Sequence, residues 1–155
     1  MTSPVRFVAR PLLGALFVTG GFDALRAPGA RVQAVTDAGL DKAGQLVRIN
    51  GAAMLLAGIG LSTGRVPRLS ALVLAGALVP TTVVGHPFWS TADKAAKIQQ
   101  RIQFTKNLGL LGGLLLAVAD TGGRESLPHA ANRVSHRAAR KAAKKAHQVR
   151  EALPV

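Results

Sequence analysis

His86 is the first residue whose type and setting suggest chemistry. It stands in the string VVGHPFW, at the end of a long uncharged apolar run. Pro87 follows it and disfavours helical backbone at His86, so a helix arriving there should break. Downstream come Gln99, Gln100, Gln103, Lys106 and Asn107. On one continuous helix Gln99, Gln103 and Lys106, flanked by Gln100 and Asn107, share a broad face. An imidazole, an ammonium group and several amides at the edge of an apolar segment can hold a ligand or pass a proton. Ionisable groups at membrane depth are functional candidates by default. The same residues also fit a plainer reading, as interfacial groups satisfied by water and headgroups. Asp23 is the carboxylate nearest in depth to Lys106, and an Asp23–Lys106 pair would satisfy both charges. Phe88 and Trp89 fit an aromatic belt at a membrane–water interface.

Most other chemistries lack their residues. The chain has no cysteine, which excludes disulfides, thiol catalysis and thiolate-held metal centres. It contains no Walker loop, no HExxH and no serine–histidine–acid set in a supporting context. The seven acidic residues are scattered as Asp23, Asp37, Asp41, Asp93, Asp120, Glu125 and Glu151, without a paired set. His129, His136 and His147 lack the i, i+4 spacing of a two-histidine metal site and read as solvated helix surface. No metal site is expected.

The elements that must position these residues are apolar. The chain is 48% hydrophobic and 17% charged, with mean hydropathy +0.26, where soluble domains carry about 25% charged residues. Four apolar segments can be marked, at 7–25, 46–63, 69–88 and 102–119. The third carries no Asp, Glu, Lys or Arg, and about 20 apolar residues suffice to cross a 30 Å hydrocarbon core. The segment at the N-terminus resembles a signal peptide, but Asp23 follows directly and the cleavage site is poor, so it reads as a retained span. Between the spans, a polar loop at 26–45 can hold a short helix across 30–38. Residues 64–68 form a tight turn, with Pro67 starting the next helix. Residues 89–101 look amphipathic and helical, with Ser90 or Thr91 as cap and Asp93 in the first turn. Pro80 should kink the third span. Small residues four apart, at Ala53/Ala57, Gly58/Ser62, Ala71/Ala75 and Gly109/Gly113, suit close helix packing within the bundle or between copies.

The formal net charge is +13, which in a soluble protein would suggest nucleic acid. The apolar spans make lipid phosphates the better counter-charge. Residues 121–155 alone hold eight Lys/Arg. The segment from Pro128 onward has good helix propensity and no aromatic stacking platform, so Arg133, Arg137, Arg140, Lys141, Lys144 and Lys145 should meet anionic lipid headgroups rather than nucleic acid. Arg6, Arg10, Arg65, Arg68 and this tail fall on one side of a four-span layout. Arg26, Arg31, Lys42, Lys94, Lys97, Arg101 and Lys106 fall on the other. The excess places both termini in the cytoplasm.

The string GHPFW at 85–89, with QQRIQFTKNLGLLGGLLL at 99–116 and RPLLGALFVTGGFDALRAPG at 10–29, resembles the DoxX family of bacterial integral membrane proteins. The likeness covers about residues 6–120. It implies an all-α, four-helix transmembrane bundle over 1–120 in the bacterial inner membrane; residues 121–155 lie outside the likeness and are read from their composition as a basic, helical cytoplasmic tail. It also implies a link to redox metabolism, since DoxX-like proteins include subunits associated with quinone-linked oxidoreductases and with complexes that answer oxidative stress. The family has no agreed catalytic set. His86, Pro87, Trp89, Gln103, Lys106 and Asn107 carry over as candidates only, and the missing cysteines put a thiol relay in doubt. The expected role is a membrane subunit or anchor of a redox-linked complex, non-catalytic on its own, with a redox partner protein and room for self-association. The alternative is a quinone-binding oxidoreductase subunit using a polar cluster around His86 and Lys106, with Asp23, Gln103 and Asn107 beside them.

Overall fold

The structure, a computed structural model, describes residues 4–120. The tail and the boundary expected at 120/121 lie outside or at the limit of those residues. Five helices follow in order: α1 (Pro4–Arg26), α2 (Gly29–Asp37), α3 (Ala43–Thr63), α4 (Pro67–Gly85) and α5 (Lys94–Ala119). Four of them, α1, α3, α4 and α5, are long and apolar enough to cross a membrane. The described residues form an all-α bundle, as the hydropathy pattern requires. The short helix expected in the first loop is present as α2.

Two expectations about local structure are corrected. Residues 94–101 do not form a separate surface helix. They are the first turns of α5, a helix about 39 Å long at ~1.5 Å per residue. The cap of α5 is neither Ser90 nor Thr91 but Asp93, whose carboxylate accepts from the Ala96 amide at 2.7 Å. The Ser90 and Thr91 hydroxyls donate instead to the Pro87 carbonyl. Pro80 is accommodated within α4, which runs on to Gly85. It lies on the exposed side of the helix, and the following Thr81 and Thr82 hydroxyls donate to the Ala77 and Leu78 carbonyls.

Packing runs α1 on α3, α3 on α4 and α4 on α5, with α2 resting against α3 and α4. The core is built from Phe17, Met54, Leu61, Ala71, Leu74, Leu78 and Leu114. Lipid tails are as apolar as leucine, so helices in a bilayer associate through close van der Waals contact rather than hydrophobic drive. The α1–α3 seam meets that requirement with glycine. α1 and α3 run antiparallel, so Gly14 meets Gly58 and Gly21 meets Gly51. A Cβ on Gly21 would lie 2.6 Å from the Gly51 carbonyl oxygen and 2.6 Å from the Leu55 nitrogen. A Cβ on Gly58 would lie 3.0 Å from the Val18 nitrogen, and one on Gly14 would collide with the Ser62 hydroxyl. These glycines repeat at seven residues on both helices, outside the four-residue spacing of the usual small-residue motif. Of the pairs singled out in the sequence, Ala71/Ala75 and Gly58/Ser62 do lie in helix contacts, whereas Gly109 faces open space.

Candidate functional site

α4 ends where the His-Pro step requires. His86 follows its last turn, with φ −133° and its amide still bonded to the Thr82 carbonyl at 3.1 Å. The chain then reverses through residues 87–90. His86 Nδ1 lies 2.8 Å from Gln100 Oε1 on α5. With that oxygen as acceptor, Nδ1 is the donor; in the neutral ring Nε2 is then the acceptor nitrogen. Beside this bond Phe88, Trp89 and Phe104 form a closed set of edge-to-face contacts, with ring centroids 5.1, 5.3 and 5.9 Å apart. The turn is thus held to α5 by one polar and two aromatic contacts, those of Phe88 and Trp89 with Phe104. Phe88 is half-buried and Trp89 exposed, in keeping with rings at an interface.

The expected polar cluster is only partly assembled. Gln100, not Gln103, is the partner of His86. Gln103 and Asn107 are half-buried on the bundle side of α5, while Lys106 and Asp23 are both exposed. The expected Asp23–Lys106 ion pair does not form within the chain. The two ion pairs among the described residues are both at the opposite end of the bundle. Lys106 instead lines a shallow open groove along α5, with Ile98, Arg101, Ile102 and Thr105.

A lock between the first and last spans does exist, at the end that holds the N-terminus of α1. Arg6 Nε donates to Asp120 Oδ2 at 2.8 Å, and Arg10 approaches the same oxygen at 3.4 Å. Arg68 Nε donates to the Val118 carbonyl at 2.8 Å, tying the start of α4 to the end of α5. Cations suit that place, because the last carbonyls of a helix lack donors and its C-terminus carries partial negative charge. Asn50, also missed in the sequence, joins α3 to α4: its Nδ2 donates to Thr81 Oγ1 at 3.0 Å. The signal available for these residues was only that they are polar within apolar runs.

Of the residues offered for a quinone, His86 is bonded to Gln100, Phe88 and Trp89 pack on Phe104, and Lys106 lines the groove with Arg101 and Thr105. No group of three or more His, Asp or Glu able to hold a metal occurs among the described residues.

A family model described as DoxX matches residues 5–87. The match takes in α1 to α4 and ends at Pro87, before the α5 strings. No curated protein and no solved structure matches the chain.

Proposed function

The chain belongs to the DoxX family, and from that premise we propose that it is a non-catalytic membrane subunit or anchor of a redox-linked complex. It is an integral, multi-pass membrane protein by its family and its four spanning helices. The observation that supports a subunit role is the state of its polar groups. His86 is engaged by Gln100, Asn50 by Thr81, and Arg6 and Arg10 by Asp120. The polar contacts inside the bundle therefore tie helices together rather than converge on a space for substrate. In this reading the arginine-rich end, with Arg6, Arg10, Arg65 and Arg68, faces the cytoplasm in the inner membrane. The eight Lys/Arg of residues 121–155 serve, in the same reading, to meet anionic headgroups or a soluble redox partner. The quinone-binding alternative draws on the Nε2 lone pair of His86, which can accept from a quinol hydroxyl. It is the weaker reading, because Lys106 does not join that site.

The test is purification in mild detergent, followed by a visible spectrum and quinone extraction. A co-purifying partner that carries the flavin, haem or iron–sulfur absorption supports the subunit reading. A partner-free chain that retains stoichiometric quinone and oxidises quinol contradicts it.

A further inference from the structure

We propose that two copies of this chain pair across the open edge between α1 and α5, with Asp23 of each copy receiving Lys106 of the other. Both groups lie in membrane-spanning helices, where a lone charge is costly and normally has a partner. Neither has an ion-pair or hydrogen-bond partner among the described residues, and both are exposed.

Their placement is complementary. Asp23 continues a stripe with Leu12, Leu16 and Thr19, at helical spacing and exposed throughout. Lys106 is seven residues from Gly113 and so shares its face of α5. At Gly113 that face approaches α1, where a Cβ would lie 4.0 Å from the Leu13 side chain. The α1–α5 contacts of Arg6, Arg10 and Leu13 lie in the half of the bundle away from Asp23. α1 packs chiefly on α3 and α5 chiefly on α4, and both Asp23 and Lys106 are exposed at their level of the edge.

The heights also agree. Measured along the helices from the Arg6–Asp120 pair, Lys106 stands about 21 Å, Asp23 about 26 Å and Arg101 about 28 Å away, at the helical rise per residue. The carboxylate of a neighbouring copy thus falls between the two cations of the α5 groove. Thr19, one turn below it, falls near the level of Lys106 and Thr105. A two-fold axis along the membrane normal makes the contact twice, because α1 and α5 flank the same edge, and such a contact closes on itself.

The absence of cysteine from the chain gives a clean experiment. Full-length Asp23→Cys and Lys106→Cys chains with different tags are co-expressed and oxidised in native membranes, beside the double variant expressed alone. A disulfide between the two tags, and a covalent dimer of the double variant, are expected. An internally closed monomer of the double variant, or no disulfide in either arrangement, overturns the proposal. A second measurement does not depend on cysteine: the mass of the detergent-solubilised protein by light scattering. The wild type should be a dimer, Asp23→Lys and Lys106→Asp alone should dissociate about tenfold more readily, and the exchange of both charges should restore the dimer. A monomeric wild type overturns it.

Discussion

Adding one methyl group at Gly21 should loosen the bundle more than adding one anywhere on the outer side of α5. The Cβ of Gly21→Ala would sit 2.6 Å from the Gly51 oxygen and the Leu55 nitrogen, both backbone atoms, whereas ordinary contact begins at 3.4 Å. α1 and α3 must therefore part by about 0.8 Å. A gap of that size forfeits a quarter to a half of the dispersion attraction of the atoms facing it. Overpacking of this kind costs about 1–3 kcal/mol, or roughly 5- to 150-fold in the ratio of folded to unfolded protein. Gly109→Ala is the control, since a Cβ there meets nothing within 4 Å, and alanine gains up to ~1 kcal/mol of helix propensity over glycine. The assay is equilibrium unfolding in mixed micelles titrated with dodecyl sulfate, followed by the fluorescence of Trp89, the one tryptophan. Gly21→Ala should unfold at lower dodecyl sulfate than the wild type, and Gly109→Ala at the same or higher. Equal midpoints for Gly21→Ala and the wild type would refute the packing argument.

Asn50→Leu should lower stability by about 0.6 kcal/mol and at most about 1.7, the range for hydrogen bonds between membrane helices, read in the same titration. His86→Phe and Gln100→Leu should each cost a similar amount, and the double variant less than their sum, because they remove the same bond. Asp120→Asn should weaken the attachment of α5 to α1 at the arginine end, seen as faster proteolysis near residue 120 in detergent. For orientation, a periplasm-active reporter should be silent after Val155 and active at Gly39, in the turn between α2 and α3; activity at Val155 would reverse the assignment of sides.

The spans were legible because twenty uncharged apolar residues have few other uses, and the break at His86–Pro87 because proline constrains the residue before it. The extent of α5 was not. Charged residues at 94, 97 and 101 look like a surface helix, and nothing local shows that the same helix continues into the apolar segment. The lock between the first and last spans was foreseen in kind but set at the wrong end. Asp120 looked like one of several scattered acids, and its pairing with Arg6 spans more than a hundred residues, which no periodicity records. The glycine seam was hidden for a related reason. Seven-residue spacing is unremarkable within either helix alone and acquires meaning only when α1 and α3 lie antiparallel. Gln100 rather than Gln103 meets His86 because the turn at 87–90 is tight, which brings the earlier residues of α5 level with the end of α4.

The central claim is that this membrane bundle acts by holding a redox partner at the bilayer. It is tested most directly by fractionating cells with and without the chain and measuring, in membranes and in cytosol, the redox enzyme that co-purifies with it. The account expects that enzyme to move from membranes to cytosol when the chain is deleted and to return when the full-length chain is restored. An enzyme that stays in the membrane fraction, at unchanged activity, in cells lacking the chain would contradict it.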